Sequence, residues 1–311
     1  MAGAEPPPGR VSLGSTDRIA LAALIAGAVA IAFAPIFVRL AETGPVGTAF
    51  YRLLFALPVL WLWMGLERPA RGHYRRPSGW RDFLRLGAAG AFFAGDLAVW
   101  HGAILLTSVA NATLFANFAP VFVTLGAWLL FGQRVTWIFL AGLATALAGA
   151  TLLIGDSVNL SLRNVAGDAM GLLTAVFYGG YLLSVSRLRA EFSTATIMAW
   201  SGVVTCVGLL AIALLLDEPL LAVTAAGWAV LAGLALVSHV GGQGLIAYAL
   251  AHLAAPFSSV GLLLQPLVAA GLAWLLLAEP VRPWQGVGGA VVLAGIFLAR
   301  RGSRRLSAPA A

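Results

Sequence analysis

Two stretches of the sequence decide the fold because they are copies of one unit: PVFVTLGAWLLFGQRVTWIFLAGLATALAGATL, residues 120–152, and PLVAAGLAWLLLAEPVRPWQGVGGAVVLAGIFL, residues 266–298. They align without a gap at an offset of 146 residues, and 12 of the 33 aligned positions are identical. Each stretch has apolar runs on both sides of a short turn, a pattern typical of two consecutive helices. The chain therefore contains an internal repeat.

The repeat extends to the beginning of each half. At an offset of 148 residues, Arg39 and Leu40 align with Arg187 and Leu188, which predicts two halves of five helices each. Because five is an odd number, the two halves must cross a membrane in opposite directions. Inverted repeats of this kind are a common architecture of secondary transporters, which bind substrate near the membrane midplane.

The composition is that of a membrane protein. Of the 311 residues 60% are hydrophobic and only 10% charged, and the mean hydropathy is +0.93. About 20 apolar residues span a bilayer, so the sequence predicts an all-α integral membrane protein with ten transmembrane helices. The predicted helices cover approximately residues 19–40, 47–66, 84–106, 108–131, 135–155, 167–187, 194–216, 225–250, 256–278 and 282–300.

The same runs give the domain organisation. The predicted units are a disordered N-terminal tail over 1–18, a first repeat over 19–155, a loop over 156–166, a second repeat over 167–300 and a basic tail over 301–311.

The arginines predict the topology. When the loops are assigned alternately to two sides, fifteen of the nineteen arginines fall on the side of both termini and three on the other, while Arg52 lies inside the second helix. Positive charge accumulates on the cytoplasmic side, so both termini are expected in the cytoplasm. The arginine clusters are expected to contact anionic lipid headgroups rather than nucleic acid.

The lysine and cysteine content excludes several classes of protein. The sequence contains no lysine, so it has neither a Walker A phosphate loop nor a retinal Schiff base. Its single cysteine, Cys206, excludes an intrachain disulfide and any site built from several cysteines. No cofactor and no metal are expected.

The fourth helix, SVANATLFANFAP at residues 108–120, and Phe50-Tyr51-Arg52 at the start of the second helix resemble a known family. Together with the duplicated five-helix unit, they are similar to the EamA unit of the drug/metabolite transporter superfamily over about residues 19–300. The resemblance implies a carrier that exports small metabolites, and within it the YddG-type amino-acid exporters of the bacterial cytoplasmic membrane fit best. In that family the first unit often carries an acidic residue after its fourth helix. This chain has Gln133 at that position, whereas its second unit keeps the acid as Glu279. The resemblance therefore implies an ion-pair role only for Glu279.

The third helix carries the strongest candidate for a substrate site. Asp96 lies near its centre, where an ionised side chain costs about 3 kcal/mol, and Trp100 lies one turn further on the same face. Asp96 is expected either to hydrogen-bond a neighbouring helix or to bind a substrate amine or a proton. Trp100 offers a cation–π or stacking surface, whereas His101, about 100° around the helix, is expected to pack through an interhelical hydrogen bond.

Further polar residues are expected around the same central cavity. His239 and Gln243 form an i, i+4 pair in the eighth helix, opposite the third, and prolines are expected to kink the fourth and ninth helices. The further candidates for the cavity wall are Asn117, Pro120, Tyr178, Tyr181, Tyr248, Gln265 and Pro266. Arg52 is expected to be structural, in a pair with Glu42.

These residues predict a secondary transporter with a small-molecule substrate, most favourably an amino acid, and with membrane lipids as its surroundings. A multidrug, cationic or other metabolite carrier is the alternative within the same class. A rhomboid-like protease, to which Ser201 and His239 bear a faint similarity, and a channel are distant alternatives. A monomer is expected, and an oligomer stays open.

Overall fold

A computed structural model of the chain describes residues 15–67, 74–107, 109–154, 165–277 and 283–307, and within these ranges every element is helical. The helices are α1 Ser15–Ala32, α2 Ala34–Leu40, α3 Pro45–Leu66, α4 Trp80–Leu106, α5 Val109–Ala116, α6 Ala119–Phe131, α7 Trp137–Ile154, α8 Val165–Leu188, α9 Thr194–Leu215, α10 Ala225–Gly233, the π-helix Leu234–Gln243, α11 Gly244–Ala249, α12 Ala255–Gly261, α13 Leu264–Leu277 and α14 Pro283–Ser307.

The helices are those of a multi-pass membrane protein. Among the described residues, eight helices, several of them formed by consecutive segments, are long and apolar enough to cross a membrane, and Trp137–Leu153 is a shorter apolar helix. Large apolar side chains cover the exterior, where Leu62, Leu129 and Leu215 are exposed. Water would penalise such a surface, whereas lipid does not.

Three of the long helices are interrupted next to a proline. The chain leaves the helical pattern at Phe33 before Pro35, at residues 117–118 before Pro120, and at residues 262–263 before Pro266. Proline lacks the amide proton of the helical ladder and clashes with the preceding turn. Pro58, by contrast, lies inside an unbroken α3.

The most extensive helix contact joins α7 and α14, and it depends on glycine. A Cβ atom at Gly149 would lie 2.8 Å from the carbonyl oxygen of Gly288, and one at Gly288 would lie 2.9 Å from that of Gly149. Gly142 has the same relation to Gly295, at 2.8 Å. The order of these residues along one helix is reversed along the other, so the two helices pack antiparallel with their backbones in contact.

The remaining helices form a second group of contacts around the centre. α4 packs chiefly on α8 and α9, α3 packs on α9, and α1 packs on the π-helix and α11. A π-helix has one more residue per hydrogen-bonded ring than an α-helix and often lies at a functional site. These helices bring the residues of both halves together in the middle of the bundle.

The first and last helices extend beyond their predicted spans. α1 begins at Ser15 rather than near residue 19, since Asp17 in its first turn suits the positive end of a helix. α14 continues to Ser307 rather than ending at 300, because arginines are favourable in a last turn. The rest of the tail predictions, and most of the predicted loop over 156–166, lie outside the described residues.

Candidate functional site

A cavity of about 240 Å³ lies where the interrupted helices meet α3, α4, α8 and the end of the π-helix. At roughly 30 Å³ for each water molecule, this volume equals about eight waters. Apolar side chains form most of its wall. The wall also contains side chains that carry a nitrogen or oxygen atom. They are Arg52, Asp96, Trp100, His101, Thr113, Asn117, Thr174, Tyr178, Gln243, Ser259 and Gln265.

Eight of the eleven residues expected around the cavity line this space, namely Asp96, Trp100, Asn117, Pro120, Tyr178, Gln243, Gln265 and Pro266. Tyr181 was also expected there, but its ring lies against Phe93 behind the wall. His239 and Tyr248 were expected there, but the structure places them elsewhere. His239 lies behind the wall with its ring stacked on Phe93 at 5.5 Å. Tyr248 lies beyond the π-helix, where its ring contacts that of His252 at 5.0 Å.

Helix α4 supplies the largest part of the polar wall. Asp96 and Trp100 both line the cavity. They lie on the same face of α4 because residues four apart are neighbours on an α-helix. Leu97 and His101 form the adjacent row on the same helix. The structure differs from expectation at His101, whose Nδ1 lies 2.6 Å from the carbonyl oxygen of Leu97 in its own helix rather than bonding to another helix.

The interruptions before Pro120 and Pro266 place two amides in the wall. Asn117 lies in the break between α5 and α6, and Gln265 lies in the first turn of α13, directly after the equivalent break. The Nδ2 atom of Asn117 and the Nε2 atom of Gln265 are buried and have no hydrogen-bond partner among the described residues. Both amides therefore offer donors toward the cavity.

Unpartnered polar atoms are a general property of this wall. Within the ranges that the structure describes, Arg52 Nε, His101 Nε2 and Gln243 Oε1 are also buried without a partner. Buried polar groups in folded proteins are nearly always hydrogen-bonded, and each exception requires a reason such as a ligand or an ordered water. The concentration of these atoms around one cavity makes it the candidate binding site.

Aromatic rings support the wall from behind. Phe93 stacks on Tyr181 at 4.6 Å and on His239 at 5.5 Å, and Tyr181 stacks on Tyr178 at 6.2 Å. The rings join α4, α8 and the π-helix into one column. Of the rings in this column, Phe93 and Tyr178 line the cavity.

The expected pair between Arg52 and Glu42 is corrected by the structure. Glu42 instead accepts hydrogen bonds from the backbone amides of Val223 and Thr224, at 2.8 and 2.9 Å, and from the Thr224 hydroxyl, at 2.5 Å. The bonds from Thr224 are the main cause of a lowered pKa of Glu42. Glu42 thus fixes the turn after α2 to the start of α10, while the Arg52 side chain extends into the cavity.

The opposite end of the bundle is held by charges. Glu191, in the turn after α8, binds Arg75 at 2.5 Å and Arg85 at 2.7 Å, and Arg75 also pairs with Asp82. The two arginines, Arg85 first, lower the pKa of Glu191, and the two carboxylates raise the pKa of Arg75. This charge network, formed by Arg75, Asp82, Arg85 and Glu191, ties the segment before α4 to the turn after α8.

Five polar residues of the wall were not expected there from the sequence, namely Thr113, Thr174, Ser259 and the titratable Arg52 and His101. Arg52 was assigned to the structure because it lies near a helix end, where a long side chain often reaches water, and His101 was assigned to packing. The available signal for both was their type, since a titratable residue within a transmembrane helix is a functional candidate by default. Glu279, carried over from the family resemblance, lies outside the described residues.

Comparisons with known proteins agree with this architecture. Residues 18–155 and 165–301 each match the EamA-like transporter family. A solved crystal structure with 20% sequence identity superposes on this chain with a TM-score of 0.74 and covers 96% of this chain and 100% of its own. At that identity the likeness shows the fold.

Three relatives have names that bear on function. A protein of Archaeoglobus fulgidus named "Uncharacterized transporter" is 26% identical over 85% of this chain and 91% of its own. A protein of Streptantibioticus cattleyicolor named "Probable terminal-alkyne amino-acid exporter" is 32% identical over 61% of this chain and 64% of its own. The "Pseudopaline exporter CntI" of Pseudomonas aeruginosa is 28% identical over 69% of this chain and 73% of its own.

Proposed function

The chain belongs to the EamA-like transporter family, and we propose that it exports small metabolites, above all amino acids including aromatic ones, across the bacterial cytoplasmic membrane. Members of this family and the named relatives are transporters and not enzymes. The observation that carries the proposal is the central cavity, whose wall combines Arg52 and Asp96 with several buried polar atoms that lack partners.

The proposed architecture is ten transmembrane helices in two inverted five-helix repeats, with both termini cytoplasmic. Under the repeat, α4 corresponds to the π-helical segment and α8 corresponds to α1. The contact of α4 with α8 and that of α1 with the π-helix are then equivalent, and both are extensive. The antiparallel contact between α7 and α14, which uses the same glycine positions of each half, supports the inversion as well.

The size and chemistry of the cavity support a small, partly apolar substrate. A volume of about 240 Å³ suits a single metabolite rather than a peptide. Trp100 offers an indole face on which an aromatic side chain stacks, and the amides of Asn117 and Gln265 offer hydrogen bonds. Two relatives are named as exporters, one of them of an amino acid.

Alternating access requires the cavity to open to one side of the membrane at a time, and a substrate drives this change only by contacting the two states differently. The charge network lies at the end where α4 begins. Asp96 follows Arg85 by eleven residues, which corresponds to about 16 Å along the helix. In our proposal this network closes the cytoplasmic end and separates whenever the cavity opens there.

A carrier of multidrug or cationic solutes is the second candidate. Asp96 and Trp100 suit a cation, but Arg52 in the same wall repels one, which favours a substrate that also carries a negative charge. A channel would leave the cavity open to both sides at once. The two classes differ in flux, because only a carrier exchanges substrate across the membrane in counterflow.

Counterflow into proteoliposomes tests the proposal. Vesicles that contain the full chain and a high internal concentration of unlabelled phenylalanine are expected to accumulate labelled phenylalanine transiently and saturably. A panel of amino acids and organic cations, each with and without a pH gradient, then ranks the substrates and reveals proton coupling. Absence of counterflow for every amino acid, with accumulation of an organic cation, would refute the proposed substrate; unsaturable flux would refute a carrier.

A further inference from the structure

We infer that the cavity binds its substrate as a zwitterion, with the guanidinium of Arg52 on the substrate carboxylate and the carboxylate of Asp96 on the substrate ammonium. The inference rests on the proposed function and deepens it, because it limits the substrates to free α-amino acids. Amines without a carboxylate and acids without an amine are excluded.

Arg52 is placed to receive an anion. It is only 7% exposed, and its Nε atom is buried with no hydrogen-bond partner in the described part of the chain. Arginine stays protonated in proteins. The contact that the structure shows for this guanidinium is the Phe93 ring at 5.9 Å, and no carboxylate of the described residues pairs with it, which is unfavourable for a buried charge. Its planar fork of donors matches a carboxylate, to which it donates two parallel hydrogen bonds. The Arg52 side chain lines the cavity, so an anion that occupies this space reaches it directly.

Asp96 is the complementary charge in the same wall. The Asp96 and Arg52 side chains both line this cavity. The described part of the chain nevertheless has no ion pair between them at contact distance; its ion pairs belong to the charge network. Two opposite charges that face one cavity without touching leave room for a ligand that contacts both.

The α-amino acid is the smallest common solute with this pair of charges, because its carboxylate and its ammonium are attached to one carbon atom. A zwitterion satisfies both wall charges at once. An amine alone leaves Arg52 without a partner, and an acid alone leaves Asp96 without one, and each such loss is costly in a site of low dielectric constant. Trp100 lines the same cavity and offers its indole to the substrate side chain.

Three matched solutes test the inference on wild-type protein. Phenylalanine, phenethylamine, which lacks the carboxylate, and 3-phenylpropanoate, which lacks the amine, share one aromatic ring. In proteoliposomes we expect phenylalanine to be exchanged at least tenfold more efficiently than either analogue. Efficient exchange of phenethylamine or 3-phenylpropanoate by the wild type would overturn the inference and leave the proposed carrier intact.

Substitutions of Arg52 and Asp96 test which group of the substrate each residue binds. Arg52→Gln is expected to lower the efficiency for phenylalanine at least tenfold and to reduce its preference over phenethylamine to about twofold, whereas Arg52→Lys keeps part of that preference. Asp96→Asn is expected to reduce the preference over 3-phenylpropanoate in the same way. Arg189→Gln is the matched control, since Arg189 is buried outside the cavity and donates to Phe192 O and to the Tyr74 hydroxyl.

The outcomes separate the inference from the proposed function. If the wild type exchanges amino acids and both cavity variants keep its preferences, the zwitterion site is wrong and the amino-acid carrier stands. If no amino acid is exchanged at all, both the proposed substrate and the zwitterion site are wrong. A variant is compared only when it elutes as a single folded species, and preference ratios within one preparation are independent of the amount reconstituted.

Discussion

The guanidinium carbon of Arg52 lies 5.9 Å from the centre of the Phe93 ring, within the range of a cation–π contact. Phe93 is itself held between Tyr181 and His239. The aromatic column therefore holds the Arg52 side chain in place in the cavity wall.

Phe93→Leu is expected to weaken substrate binding more than turnover. A cation–π contact contributes about 1 kcal/mol, so losing it corresponds to about a fivefold rise in KM, measured by concentration-dependent counterflow. Phe92→Leu is the control, because Phe92 contacts Phe177 and is absent from the cavity wall. Equal effects of the two substitutions would mean that Phe93 acts only through general packing.

Gly288→Ala is expected to destabilise the protein, whereas Gly286→Ala, two residues earlier in α14, is not. A Cβ at position 288 meets the Leu153 amide nitrogen at 2.6 Å, while one at position 286 meets nothing within 4 Å. Overpacking typically costs about 1–3 kcal/mol, and replacing an exposed helical glycine by alanine stabilises. Thermal unfolding in detergent measures both. Equal melting temperatures would contradict the close contact between α7 and α14.

Acidification is expected to weaken the charge network through Glu191. Its pKa in the folded protein is lowered by Arg85 and Arg75, so the ionised group stabilises the fold above its ordinary value of 4.5. That contribution is lost as the pH falls through the lowered pKa. The effect is small, about 1 kcal/mol or less, because the Glu191 side chain is 36% exposed.

The measurement is the difference in melting temperature between wild type and Glu191→Gln as a function of pH. The difference is expected to be positive near neutral pH and to close in acid, because the variant lacks the titrating group. Asp17→Asn is the control, because Asp17 lies outside the charge network, and the acid sensitivity that Glu191→Gln removes should persist in this variant. A difference that persists below the lowered pKa would exclude titration of Glu191 as its source.

Ala116→Trp is expected to abolish transport by filling the cavity. Ala116 lies in the wall at the end of α5, and an indole there takes the volume that a substrate requires. Counterflow should fall more than tenfold while the protein remains folded. Ala88→Trp, on an exposed outer face of α4, is the control and should retain transport. Retained flux in Ala116→Trp would mean that substrate passes by another route.

Much of the helical framework can be predicted from the sequence because its causes are local. Apolar runs of sufficient length give the helices, and two prolines in equivalent positions, Pro120 and Pro266, give the equivalent interruptions. Asp96 and Trp100 share a face because the spacing of four residues is a property of any α-helix. These features require no knowledge of which helices are neighbours.

The remaining features depend on tertiary packing. The direction of the Arg52 side chain follows from the position of Phe93 on another helix, and no local signal distinguishes it from a side chain that reaches water. The π-helix has no local signal either, since its residues suit an ordinary α-helix. Within it Gln243 lines the cavity, whereas His239 lies behind the wall. Pro58 shows the converse, because α3, which packs on α9 and the π-helix, continues through it without a break.

The glycine contact between α7 and α14 has pseudo-two-fold symmetry about an axis in the membrane plane. Gly142 contacts Gly295 at one end as Gly288 contacts Gly149 at the other. A contact with this property carries no information about which end faces the cell interior during biosynthesis. The insertion machinery must take that instruction from outside the contact. The arginines at the helix ends, distributed so unequally along the sequence, are the part of the chain that can give it.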